Sequence, residues 1–149
     1  MRKVISAIII MCVLFVLAGC ASMNDTDITK RNRDGSPVWT TTEPHSSKLL
    51  YGVGKAKLTT EFNSKTAAEA VARANLASKI QSTVKEHIAY YTRDSEGETA
   101  TAYEQLIMNI VNVAVPNIKT EQYWTQKDGT VWVLVSYQRK NLDEIKLDN

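Results

Sequence analysis

Three patterns of apolar and polar positions follow one another along this chain. An uncharged apolar run from Val4 to Leu17 comes first, a polar stretch from Ala21 to Pro37 second, and a region with strand and helix periodicities third. The polar stretch holds only Met23 and Ile28 as sizeable apolar residues, the composition of a disordered tether that spans roughly 20 Å as a coil. Ordered structure is therefore expected from residue 38 onwards, in one domain too short to divide into two.

Within that domain, Leu49, Tyr51 and Val53 alternate with smaller or polar neighbours and predict a strand over Lys48–Ala56. Gly52 and Gly54 in it mark either a bulge or a close approach by the next element. A helix is expected from about Asn63 to Ala89, because Ala72, Leu76, Ile80, Val84 and Ile88 recur every four residues and Ala77 and Val71 widen the stripe. Thr66 and Glu69 have the spacing of a capping box. The charged residues Arg93–Glu98 read as a loop. A second helix over Thr99–Val115 follows from Tyr103, Leu106, Ile107, Ile110, Val111 and Ala114, with Asn109 and Asn112 opposite and Pro116 as its stop. Its β-branched residues would also suit a strand, but neither alternating set is cleanly apolar.

A hairpin closes the pattern: Ile118–Gln126, a two-residue primed turn at Asp128-Gly129, then Val131–Tyr137. That turn would set Trp124 opposite Val133 and Tyr123 opposite Leu134. Both faces of the hairpin then carry bulky groups, and the face with Tyr123, Trp132 and Leu134 calls for a second cover or a partner. Met108, Val113 and Val115 extend the apolar stripe of the second helix, so these six residues form a candidate partner interface, open to self-association. A terminal segment or the first strand folded over the same surface is the competing reading. Asn141 is placed to cap a short terminal helix through Leu142 and Ile145. The expected class is α+β, a small antiparallel sheet of about three strands packed by two helices, with a C-terminal hairpin and short terminal helix.

The amino terminus carries the most specific chemistry. Met1, Arg2 and Lys3 precede the apolar run, and its fourteen residues, Val4 to Leu17, fit a signal-peptide core better than the ~20 needed to span a bilayer. The run ends in Leu17-Ala18-Gly19-Cys20, which resembles a lipoprotein signal. Small residues admit the peptidase, and the Cys20 thiol accepts diacylglycerol before its freed amine is acylated. Residues 1–19 are thus expected to be removed as signal peptide and 20–37 to form the lipidated tether of a 38–149 domain. Cys12 would leave with the signal, so no disulfide and no Cys-containing metal site is expected.

The same cleavage changes the charge. Of 18 basic residues, Arg2 and Lys3 are lost, leaving 16 against 16 acidic ones, and nothing in that balance invites nucleic acid. Gly52-Val53-Gly54-Lys55 lacks the spacing of a phosphate loop and has Ala56 where Ser or Thr would stand. His45 and His87 are too far apart in sequence to form a metal motif. No nucleophile elbow is present. Glu69, Glu86, Glu104 and Glu121 could act as a carboxylate pair only if the fold united them. The aromatic residues Trp39, Tyr51, Tyr90, Tyr91, Tyr103, Tyr123, Trp124, Trp132 and Tyr137 suit core or interface better than a glycan groove.

Taken in order behind the lipobox, Tyr51-Gly52-Val53-Gly54 with Ala56, the helix text Ala70-Val71-Ala72-Arg73-Ala74-Asn75-Leu76-Ala77, and Gly129-Thr130-Val131-Trp132-Val133-Leu134-Val135 resemble the twenty-kilodalton membrane-associated lipoprotein family. Flagellar FlgP-like lipoproteins are relatives. The resemblance implies a small α+β lipoprotein of the bacterial envelope and supplies no catalytic residues. The expected function is a non-enzymatic structural or adaptor component, held by lipid on Cys20, with membrane lipid and envelope proteins or its own copies as partners and no cofactor beyond the covalent lipid. Ala21, where Asp would favour inner-membrane retention in enteric bacteria, points to the outer membrane. The alternatives are a module that binds peptidoglycan or regulates a cell-wall enzyme, and a carboxylate hydrolase.

Overall fold

The computed structural model describes residues 25–91 and 100–143. The signal peptide, Leu17, Ala18, Gly19, Cys20, the loop Arg93–Glu98 and Ile145 lie outside the described residues, as do the side chains of His87, Ile88 and Tyr103. The elements are β1 (Leu49–Ala56), α1 (Glu61–Tyr91), α2 (Ala100–Ala114), β2 (Lys119–Thr125), β3 (Val131–Gln138) and a short α3 (Lys140–Asp143). The strands form one antiparallel sheet in the order β1-β3-β2, and the chain is an α+β protein.

The helix α1 begins at Glu61, two residues before the expected start at Asn63. Thr60 is its cap, with Oγ1 accepting from the Asn63 amide at 3.2 Å, and the buried Ser64 hydroxyl accepts from the Leu58 amide at 2.8 Å. Thr66 therefore lies inside the helix, where its hydroxyl donates to the Phe62 carbonyl instead of forming a capping box with Glu69. Ala68, Ala72, Leu76, Ile80 and Val84 form the buried stripe, Ala77 is half-buried, and Val71 is exposed rather than widening it.

Small residues set how closely α1 lies on the sheet. A Cβ built on Gly52 would stand 2.5 Å from the Ala72 carbonyl oxygen, and one on Gly54 would stand 2.2 Å from that of Ala68. The two glycines thus admit the helix backbone itself, which is the second of the two roles expected of them. The contact also closes a sheet edge. Asn75 Nδ2 donates to the Val53 carbonyl at 2.8 Å and Lys79 Nζ to that of Tyr51 at 2.7 Å, so side chains of α1 occupy acceptors that an exposed edge would offer to another chain.

Ile107, Ile110 and Ala114 of α2, with Leu50, Val131, Val133, Val135 and Tyr137, complete the core on the helical face. Pro116 sits in a 3-10 turn over Val115–Asn117 that ends α2. Leu142 of α3 joins this core, and Asn141 lies within α3 instead of capping it.

The hairpin differs from the sequence reading by one residue. Gln126 N donates to the Thr130 carbonyl at 2.8 Å and Gly129 N to that of Gln126 at 2.9 Å, and Gly129 alone in the turn has positive φ, at 86°. This is a three-residue loop, Lys127–Gly129, with glycine in the left-handed position, and not a primed two-residue turn. Trp124 therefore pairs with Trp132, Tyr123 with Val133 and Gln122 with Leu134. A one-residue slip moves every side chain to the other face. A bulge at Glu121 then shifts the register by one further residue, so that Thr120 pairs with Val135.

The second face of the sheet is covered by the chain's own amino-terminal segment, so the disordered tether expected through residue 37 does not extend over 25–37. Asp25 accepts from Ser46 Oγ and from the Ser47 amide at 2.8 Å, and Thr26 N donates to the His45 carbonyl at 2.7 Å. Asp27 and Asp34 each bond the residue two positions on, which turns the chain locally, and Gly35 takes a φ of 84°. Trp39 and Ile28 then reach Tyr51, Leu134, Trp124 and Trp132 in a second apolar cluster. Polar composition hid this because local side-chain hydrogen bonds order the segment and only two large groups anchor it.

Candidate contact surface

The six residues expected to form one partner interface are divided by the fold. Leu134 is fully buried beneath Trp39, and Trp132 is half-buried in the same cluster, with Lys55 Nζ 4.8 Å from its ring centre. Tyr123 points to the opposite face because of the register change. Val115 is half-buried against the helical core, and Met108 and Val113 remain exposed at 50% and 64% on α2.

Tyr123 belongs instead to a polar knot across the seam between α1 and β2. Its hydroxyl donates to Glu69 Oε2 at 2.9 Å, while Thr120 Oγ1 at 2.9 Å and the Arg73 Nε and Nη2 at 3.0 and 2.9 Å donate to Oε1. Arg73 Nη1 also donates to the Ile118 carbonyl at 3.1 Å, which ties the helix to the strand's start. The hydrogen bond from Tyr123 is the main reason the Glu69 carboxyl titrates below its ordinary range, with Thr120 and Arg73 adding to it. Burial, then Glu69, pushes the Tyr123 phenol up.

A shallow groove of 440 Å³ runs beside this knot, lined by Phe62, Lys65, Thr66, Glu69, Ala70 and Arg73. Phe62 stands 78% exposed at its rim and Tyr123 is 42% exposed, with Lys65 Nζ 3.8 Å from the Tyr123 ring centre. Phe62 is thus a large aromatic left in water beside charged groups. The position of Phe62 on the first turn of α1 was not singled out in the sequence, since it falls before the apolar stripe.

Of the four candidate glutamates, Glu69 alone among the described residues lines this groove, and Glu86 and Glu104 are exposed on α1 and α2. Glu121 accepts from Ser136 on the Trp39 side of the sheet, and Glu69 lies on the helical side. With both oxygens taken by donors and its proton held off, Glu69 is placed as a strut and is poorly suited to give up a proton as a general acid. Gly52-Val53-Gly54-Lys55 is strand interior under α1. His45 is exposed and takes part through its backbone. Among the described residues, no group of three or more His, Cys, Asp or Glu could hold a metal ion, and no helix is long and apolar enough to cross a membrane.

A search of curated proteins gives no match to the chain. The family described as LPP20 lipoprotein matches residues 37–138, about two thirds of the sequence. That span opens at the buried Pro37, takes in Trp39, and closes at the last residue of β3, so it contains the helical cover of the sheet and Trp39 but not Ile28 or the rest of the amino-terminal cover. The chain belongs to the LPP20 lipoprotein family.

Proposed function

We propose that this protein is a structural or adaptor lipoprotein, anchored by acyl chains on Cys20 in the outer membrane and acting through protein contacts rather than catalysis. The observation that carries the reading is the order of its parts: the sequence Leu17-Ala18-Gly19-Cys20 stands directly before a domain that belongs to a lipoprotein family. One acyl chain binds a membrane marginally, at ~0.8 kcal/mol per buried methylene, and three exceed that several-fold. The contact site is the groove at the start of α1, where Phe62 and Tyr123 supply apolar area and Lys65, Glu69 and Arg73 supply a charged rim.

Two measurements test this. Metabolic palmitate labelling is expected to mark the wild type and not Cys20→Ser, whose hydroxyl cannot replace the thiolate; undiminished label on the variant removes the anchor. A photoreactive phenylalanine analogue at position 62 is expected to cross-link a second copy or another envelope protein in cells. Yields no higher than from the same analogue at the exposed Ser82 remove the contact site.

A further inference from the structure

The end of the sheet remote from Phe62 carries a second cleft, of 520 Å³, whose lining includes Lys48, Arg139, Lys140, Ser46, Ser47 and Asp25. Three cations meet there because the β1–β3 register puts the residue before β1 beside the residue after β3. Arg139 N donates to the Lys48 carbonyl at 2.9 Å, and Lys140 follows directly. Lys48 and Lys140 are exposed, and Arg139 is half-buried with its Nε–H enclosed and without an acceptor among the described residues. Among the described residues Asp25 is the one carboxylate in the lining, and its oxygens already accept from Ser46 and Ser47. The cleft is therefore a net cationic site.

Its place in the chain identifies the anion. Asp25 is five residues from Cys20, so the cleft's own wall is held within about 18 Å of the anchor by chain length alone. The hairpin tip, with Lys127, is at the other end of β3. We infer that this cleft is the membrane-facing surface of the domain and takes headgroup phosphates of anionic lipid. The inference rests on the anchoring proposed above. Lysine and arginine within a headgroup's reach are attracted to an anionic surface, and a short link to the lipid keeps them there. The opposite end of the sheet and the groove at Phe62 are then turned toward the compartment where a protein partner can reach them.

The test uses the protein purified from its own membranes and reconstituted on phosphatidylcholine vesicles with or without phosphatidylglycerol. Flotation reads the anchor, and the rate of lysine acetylation by a water-soluble reagent, resolved residue by residue by mass spectrometry, reads the cleft. On phosphatidylglycerol vesicles Lys48 and Lys140 are expected to react about fivefold more slowly, the factor that corresponds to the attraction of one lysine to an anionic surface. Lys127 is expected to be unchanged, and about 0.5 M salt to abolish the difference. Flotation on both vesicles with equal Lys48 and Lys140 rates overturns the inference and leaves the anchor standing. Flotation only with phosphatidylglycerol, with those lysines protected, upholds the cleft and overturns the anchor; failure to float on either overturns both. Equal protection by millimolar inorganic phosphate on neutral vesicles shows a site for a soluble anion and overturns the assignment to lipid.

Discussion

The indole N–H of Trp39 donates to Gln122 Oε1 at 2.9 Å across 83 residues of sequence, and Nε2 of the same glutamine donates to the Ile28 carbonyl at 3.2 Å. One side chain on β2 thus pins both ends of the segment that covers the sheet. Trp39→Ala is expected to destabilise the protein by about 3–5 kcal/mol, as for other buried aromatic truncations. Gln122→Leu, which leaves a buried N–H unpaired, is expected to cost about 1–3 kcal/mol. Denaturant midpoints with unchanged slopes would give both values. A chain starting at residue 38 should be less stable than one starting at residue 25, since it lacks Ile28 and the buried Ser36 and Pro37. Equal midpoints for the two chains would show that the segment adds nothing.

The approach of α1 to β1 gives a sharper steric test. At Gly54 an added methyl would meet the Ala68 carbonyl oxygen at 2.2 Å and the Ala72 nitrogen at 2.3 Å, both backbone atoms that no rotamer change can move. Gly54→Ala is expected to lose about 1–3 kcal/mol or more, although alanine suits a strand no worse than glycine does. Gly35→Ala serves as a control of a different kind, because no atom crowds it and only its φ of 84° is unfavourable, a cost of about 1–2 kcal/mol. If Gly54→Ala melts with the wild type, the helix is free to lift from the sheet.

The loop of the hairpin can be tested through its glycine. Gly129→Ala is expected to cost about 1–2 kcal/mol, because φ at 129 is positive, whereas Asp128→Ala removes the exposed bonds to Thr130 and the exposed ion pair with Lys57 and should cost less. A primed two-residue turn would require positive φ at both positions and would reverse neither cost. Amide exchange that protects Gln126 N and Gly129 N, the donors of the three-residue loop, distinguishes the two geometries.

Periodicity made most of the fold legible. The stripe through Ala72, Leu76, Ile80 and Val84 and the run Val131–Val135 each recur at the spacing their burial demands, so β1, both long helices and the hairpin could be read directly. What stayed hidden depended on contacts between distant residues. Asp128-Gly129 is compatible with two loops that differ by one residue, and the choice transfers Tyr123 from beside Leu134 to beside Glu69. Residues 25–37 are polar because turns order them, and their one signal was Trp39, a large indole directly after a stretch read as solvent. The groove was missed for a related reason: Phe62 lies off the apolar stripe and gains its meaning from Tyr123, Lys65 and Glu69 around it.

The knot at Glu69 makes a prediction about pH whose sign is fixed by its donors. Its carboxyl titrates below the ordinary 4.5, chiefly through the Tyr123 hydroxyl, so the folded state favours the ionised form. A carboxyl depressed in the folded state adds stability above its unfolded value and loses it as pH falls through the folded one. Glu69→Gln should therefore be less stable than wild type at neutral pH, and the gap should narrow as the pH is taken below about 4.5. Tyr123→Phe removes the first donor while keeping the ring against Lys65, and is expected to move the Glu69 titration upward without abolishing the shift, since Thr120 and Arg73 still donate. Carbon-detected NMR of the Glu69 carboxyl follows this directly. An unchanged titration in Tyr123→Phe would mean that Arg73 and Thr120 alone hold the charge, and that the phenol is a bystander to the strut rather than part of it.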